Sequence, residues 1–290
     1  MEQHIEIAGG RLCFEKGDRG LVITGYQGAG ARAAVPEEIG GTAVTEIGRK
    51  AFLSSKSLRR IALPDTIEKI DDWAFAYCSN LELVRLPCRN LQFGKGVFLD
   101  CGKLAQLEGT AAPGELLAAA VTAYGAYYLL DLPEAGSRRW LEQWDRRLLT
   151  VMETPDSEGY SRQVLCGEED YGSTDFDAYQ SEKRMQKARL ALLRLLRPQG
   201  LSGSLRELLT EYLLKHTKGS TAGEEAWRVI LQEHGNHREY YGLFRELGCV
   251  GADNLDGILG DIGEQYPEMK AYFLSGGREQ DFFGELSAFD

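Results

Sequence analysis

Four groups of residues in this 290-residue chain have types and spacings that could do chemistry. Gly25-Tyr-Gln-Gly-Ala-Gly30 follows a strand-like Leu21-Val-Ile-Thr and has the glycine density of a loop that cradles phosphate. Such a cradle needs a helix N-terminus directly after the glycines, because its free N–H groups and dipole hold the anion. Here Ala-Arg-Ala-Ala-Val-Pro follows, which reads as a strand ending at a proline, so a hairpin-like turn is expected. His234 and His237 form an H-x-x-H beside Glu233 and Glu239. Zinc requires three or four convergent ligands, and the intervening Gly235-Asn236 implies a turn between two helices that points the rings apart. These histidines are therefore expected at solvated helix ends. Cys78 and Cys101 share a place in a repeated pattern with Ser55. Stacking would set the two sulfurs on neighbouring rungs about 4.8 Å apart, but parallel side-chain vectors disfavour a disulfide. Small-residue packing is expected there. Glu168-Glu169-Asp170 and the carboxylates from Asp253 to Asp261 lack the ligand spacing of a calcium loop and read as solvated charge. No catalytic set, metal site or cofactor is implied.

Bulk properties narrow the function further. Residues 1–110 hold 14 basic and 14 acidic side chains, so the whole net charge of −11 falls on residues 111–290. That balance excludes nucleic acid, which needs a basic face, and disfavours an anionic membrane surface. The opening MEQHIEIAGG has neither the basic nor the apolar region of a secretory signal, and no segment is long and apolar enough for membrane insertion. The six cysteines form no C-x-x-C pair, so free thiols in a cytoplasmic setting are expected.

The elements behind these groups come from a period. Phe52, Phe75 and Phe98 are spaced by 23 residues, and four more columns keep step: Ile47, Ile70 and Phe93; Ala51, Ala74 and Val97; Leu58, Leu81 and Leu104; Ile61, Val84 and Leu107. Pro64 and Pro87 share a further place, taken by Thr110 in the last copy. Such a period signals a solenoid, in which stacked units bury an apolar face that no single unit can bury alone. Each copy reads as two short strands, Val44–Ile47 and Leu58–Leu63 in the first. Strand alternation turns Ile61 and Leu63 inward and Arg60 and Ala62 outward.

The pattern I-G-x-x-A-F-x-x-x-x-x-L-x-x-I-x-L-P at Ile47 to Pro64 resembles the BspA-type leucine-rich repeat of bacteria. Ile70 to Pro87 matches it with Asp71 in place of glycine and with the cysteine at Cys78; Phe93 to Thr110 keeps Gly94, Phe98, Cys101 and Leu104. Leu21-Val-Ile-Thr-Gly-Tyr-Gln-Gly and Val35-Pro-Glu-Glu-Ile-Gly-Gly resemble the lead-in of such arrays, so the likeness covers about residues 20–110. It implies an interaction module; many relatives are surface-exposed and adhesive.

After Pro113 helical spacing replaces the period. One helix is expected over Leu116–Leu132, and a second after Ser137 with Trp140, Leu141, Trp144, Leu148 and Met152 on one face. A long, mobile acidic loop is expected at about 153–175. Helices then follow at Phe176–Leu196, Leu205–His216, Glu224–His234, Arg238–Leu247, Leu255–Gly263 and Glu268–Leu274, with Gly200, Gly235, Gly248 and Gly276 at helix ends. Asn254 to Leu274 is similar to a degenerate ankyrin unit, and antiparallel helix pairs explain it equally well.

The expected class is α+β: a short leucine-rich repeat β-solenoid at 1–112, with its lead-in and three repeats, then an all-α helical-repeat domain at 113–290. The candidate binding face is the outward row of the repeat strands, with Arg60, Leu83 and Gln106 in one column and Ala62, Arg85 and Glu108 in the next. A mixed row with an accessible leucine suits a protein partner. The function expected is a non-catalytic protein–protein interaction scaffold that uses this face and the acidic helical domain. The alternatives are a surface adhesion or host-binding protein and an enzyme with its site in the helical half. The identity of the protein partner and the oligomeric state stay open.

Overall fold

Stacking of the 23-residue unit produces two ladders of strands. The computed structural model describes residues 3–87, 89–161 and 175–275. In the first sheet, β1 (Gln3–Ile7) and β2 (Gly10–Lys16) form an antiparallel hairpin, and β2 pairs antiparallel with β3 (Leu21–Gln27). The parallel strands β6 (Thr42–Ile47), β8 (Lys69–Ile70) and β10 (Gln92–Phe93) follow, and β5 (Glu38–Ile39) turns back onto β6. The second sheet is parallel throughout: β4 (Arg32–Ala34), β7 (Arg60–Ala62), β9 (Leu83–Arg85) and β11 (Gln106–Glu108). The register of both ladders advances by one repeat, pairing Ile47 with Ile70 and Phe93 with Ile70, and Ile61 with Val84 and Val84 with Leu107.

The core lies between the sheets. Ile61, Val84 and Leu107 are buried, and Phe52, Phe75 and Phe98 stack with centroids 4.9 and 5.7 Å apart. Tyr26 extends this column at 5.1 Å from Phe52, and the Tyr127 hydroxyl bonds to the Phe98 backbone beyond the last copy. Each copy turns at the same two places with positive φ: Lys50, Trp73 and Gly96 at +60°, +54° and +58°, and Ser54, Tyr77 and Asp100 at +57°, +61° and +53°. For the non-glycine residues the left-handed region costs about 1–2 kcal/mol apiece. Rung-to-rung bonds offset it, such as Phe52 N–H to Ala74 O at 2.8 Å and Phe75 N–H to Val97 O at 3.0 Å.

The glycine-rich loop is not a hairpin turn. Gly25 lies within β3, and residues 28–30 carry the chain from the first sheet to β4 in the second. The corner runs against the β1–β2 turn, where a Cβ on Gly30 would lie 2.4 Å from Gly9 Cα, so backbone contact explains the glycine. The expected helix over Leu116–Leu132 is also shorter. It forms α1 (Gly114–Thr122), turns at Gly125 (φ +58°), and continues as a 3-10 turn at Tyr127–Leu129. An apolar run fixes burial, whereas the left-handed glycine decides where the helix ends. α1 packs on β11, and α2 (Arg138–Glu153) is capped by Ser137 Oγ, which accepts from Trp140 N–H at 3.2 Å. Trp140 Nε1 donates to Leu129 O and Trp144 Nε1 to Leu116 O, which ties α2 to this turn and to α1.

The chain divides into two compact units, 1–148 and 149–290. The second contains α3 (Phe176–Leu196), α4 (Gly203–Lys215), α5 (Glu225–Glu233), α6 (Arg238–Glu246), α7 (Leu255–Ile262) and α8 (Pro267–Leu274). α3 is the central helix and packs against α4, α5 and α6; α7 packs against α8. Gly200 and Gly248 adopt positive φ at +66° and +80°, as helix ends favour. Gly235 does not; a Cβ there would lie 2.1 Å from the Tyr266 ring, so close packing demands the glycine. Gly276, and residues 162–174 of the expected acidic loop, lie outside the described residues. Among the described residues no helix is long and apolar enough to cross a membrane.

Candidate functional site

The parallel second sheet turns alternate residues outward, since successive side chains of a strand point to opposite faces. Its register forms the columns Arg60–Leu83–Gln106 and Ala62–Arg85–Glu108, and β4 adds a rung with Arg32 beside Arg60 and Ala34 beside Ala62. Arg32, Ala34, Arg60, Arg85 and Glu108 are exposed, while Ala62, Leu83 and Gln106 are half-buried. The fourth rung escapes a 23-residue search because Pro36 precedes Pro64 by 28 residues. The signal that reveals it is Ala33-Ala-Val-Pro aligned on Ile61-Ala-Leu-Pro.

Charges on this sheet are unevenly paired. Arg59 Nη1 lies 3.4 Å from Glu82 Oε1. Among the described residues Arg32, Arg60 and Arg85 make neither an ion pair nor a side-chain hydrogen bond. A separate apolar feature marks the repeat corners. Leu53, Tyr77 and Leu99 are 39%, 47% and 39% exposed, and Tyr77 N–H donates to Leu99 O at 2.7 Å. The first unit also holds a cleft of about 610 Å³ lined by Arg89, Asn90, Gly109, Thr110 and Leu132.

The cysteines of the repeat are structural donors. Cys78 Sγ donates to Phe52 O at 3.0 Å and Cys101 Sγ to Phe75 O at 3.1 Å, each reaching back to the preceding copy. Burial pushes their pKa values up, to about 11 and about 12, so both thiols stay protonated. A protonated thiol is the form that can donate.

The second unit departs from expectation at its histidines. His234 and His237 do not point apart: their Nδ1 atoms are 3.5 Å apart, and His234 lies flat on Tyr240 with centroids at 3.6 Å. The turn at Gly235 folds tightly enough under Tyr266 to bring the rings together. Burial, with nearby His237 and Arg189, lowers the His234 pKa to about 4. Among the described residues no group of three or more His, Cys, Asp and Glu side chains converges as a ligand set.

Sequence reasoning missed a buried polar network centred on Glu225 of α5. Its Oε1 accepts from Arg184 Nε at 2.8 Å and Ser181 Oγ at 3.2 Å, and its Oε2 faces His216 Nδ1 at 3.2 Å. Arg184 and Lys187 approach Asp156 at 3.9 and 2.7 Å, and Lys187 Nζ also donates to Thr154 O at 2.6 Å. Burial pushes the Glu225 carboxyl up, but the bonds from Arg184, the backbone and His216 outweigh it and hold the group below its ordinary value. Arg184 and Ser181 lie 41 and 44 residues away and His216 nine, and none of these separations is a helical spacing that would announce the network.

Among known proteins, the family model described as BspA type Leucine rich repeat region matches residues 38–112, in six copies. No curated protein matches the chain. A leucine-rich repeat protein of T. pallidum is 31% identical over 32% of this chain and 45% of its own, with a TM-score of 0.32. A leucine-rich cell surface protein of Faecalibacterium prausnitzii is 23% identical over 38% and 31%, TM-score 0.32. A leucine-rich repeat protein of Bacteroides capillosus is 25% identical over 36% and 80%, TM-score 0.32. The chain thus spans under half the length of the first two structures it matches. The stacked phenylalanines, the two ladders and the family match agree that residues 38–112 are a BspA-type leucine-rich repeat region.

Proposed function

We propose that the chain is a non-catalytic protein-binding scaffold. Its first docking surface is the outer face of the β4–β7–β9–β11 sheet, with Arg60, Ala62, Leu83, Arg85, Gln106 and Glu108 as contact residues. The observation that carries this reading is the four-rung parallel ladder, which presents arginines and small or apolar residues in fixed register on a rigid support. Rigid placement limits the entropy lost on association, and arginine is over-represented at the centres of protein interfaces. The acidic helical unit is the second interaction module. Buried thiols at Cys78, Cys101 and Cys249 support a cytoplasmic setting.

The test is site-specific photo-crosslinking in the native cell. A photoreactive residue at Leu83 should give a discrete protein adduct that Arg85→Glu abolishes, while the same residue at Thr45 of β6 should give none. An adduct at Thr45 and not at Leu83 moves the function off this sheet. Fractionation of the same cells checks the location; recovery only in the surface fraction overturns the cytoplasmic setting.

A further inference from the structure

We infer that the outer face of this sheet takes an extended acidic peptide segment of the partner protein, its carboxylates docking on Arg32, Arg60 and Arg85. The inference rests on the scaffold reading above and adds the chemistry of the partner. Adjacent parallel strands lie about 4.8 Å apart, and the register sets Arg32 directly beside Arg60. Like charges directly opposite destabilise a sheet. Among the described residues neither Arg32 nor Arg60 makes an ion pair, whereas the adjacent Arg59 has Glu82. Arg85 lies one rung on and two positions along, in the column of Ala62. An anion bridging these rungs removes a repulsion that the free protein carries.

The type of cation points the same way. Every basic residue in the two columns is arginine, whose planar, weakly hydrated fork binds a carboxylate through two bonds; lysine cannot do this. Between the arginines, Ala34, Ala62 and Leu83 form a low floor that lets a peptide backbone approach. Glu108 stands beside Arg85 at the far end, so the face runs from cationic at β4 to balanced at β11 and gives an acidic segment a direction. The net −11 falls on residues 111–290, which repels an acidic partner from the helical unit. Screening over about 8 Å at physiological salt keeps that attraction local.

The experiment uses the full chain and fluorescence anisotropy at about 0.15 M salt. The probes are a labelled Glu/Asp-rich peptide of about ten residues, its Gln/Asn counterpart, and a single-stranded DNA of equal charge. The acidic peptide should saturate and the neutral one should not. Arg60→Glu should weaken the acidic peptide roughly ten-fold or more, with a Tm at or above the parent's because the Arg32–Arg60 repulsion is gone. Arg19→Glu, outside this sheet, should leave the affinity unchanged. Equal affinity for the DNA with the same dependence on Arg60 makes the face a general polyanion surface and overturns the peptide assignment. Unchanged affinity in Arg60→Glu, or no saturable binding, removes the site. If Leu83 still crosslinks a non-acidic partner after such a failure, the scaffold reading stands and only the acidic chemistry falls.

Discussion

Phe75→Ala is the sharpest perturbation of the stacked fold. Phe75 is fully buried and lies between Phe52 at 4.9 Å and Phe98 at 5.7 Å, with interplanar angles of 20° and 13°. Truncating a buried phenylalanine costs about 3–5 kcal/mol, of which each lost stacked pair contributes about 0.5–1.5 kcal/mol. The central position raises the cost, because a unit in a solenoid is held by both neighbours and the hole opens toward each. At about 3 °C per kcal/mol for a unit of 148 residues, its Tm should fall by about 10–15 °C. Two units make a single transition unsafe to interpret, so peptide-level hydrogen exchange is the assay. Amides of β7 and β9 should lose protection while α5 and α6 keep theirs. Phe75→Leu should cost less, since it retains most of the volume. A loss under about 1 kcal/mol for Phe75→Ala, or an equal loss of protection in both units, refutes the stacked-column argument.

Other perturbations have equally definite outcomes. Gly109→Ala combines φ +112° with a Cβ placed 2.2 Å from Leu86 O, and should destabilise by about 2 kcal/mol or more, whereas Gly102→Ala, in open space, should stay within about 0.5 kcal/mol by thermal melts. Cys78 and Cys101 should resist alkylation at pH 8 in the folded chain and label at once in denaturant, read by peptide mass spectrometry. Glu225→Ala should cost about 3 kcal/mol by stranding Arg184 and His216, with the loss confined to the helical unit in hydrogen exchange. His234 is held neutral to about pH 4, so the folded state binds fewer protons than the unfolded chain between there and about pH 6.5. Stability should therefore fall as pH drops through that window, and His234→Asn should flatten the decline in denaturant titrations.

The parts legible in the sequence were those with a short-range signature. Five apolar columns at a fixed spacing announced the ladders, and helical spacing with glycines at helix ends located α3 and α4–α8 to within a residue or two of their observed ends. The rung at Arg32–Ala34 was hidden by a longer first interval that accommodates β5 and its turn. The end of α1 was hidden because apolar residues continue past Thr122; the break depends on one glycine's left-handed backbone. The His234–His237 contact and the Glu225 network were hidden for a different reason. Both are set by tertiary neighbours, Tyr266 in one case and α3 in the other, whose approach no spacing encodes.

The covering of β11 by α1 has a consequence for how such an array can change size. Unpaired strand edges invite further pairing; here α1 packs on the last rung of the second sheet, and the β1–β2 hairpin precedes the repeats in the first. A copy inserted between β7 and β9 would leave both of these neighbours of the array in place. Duplication of one internal 23-residue copy would lengthen the ribbon by about 4.8 Å. The reach of the docking surface is therefore adjustable in whole steps, like links added to a chain whose clasps stay the same.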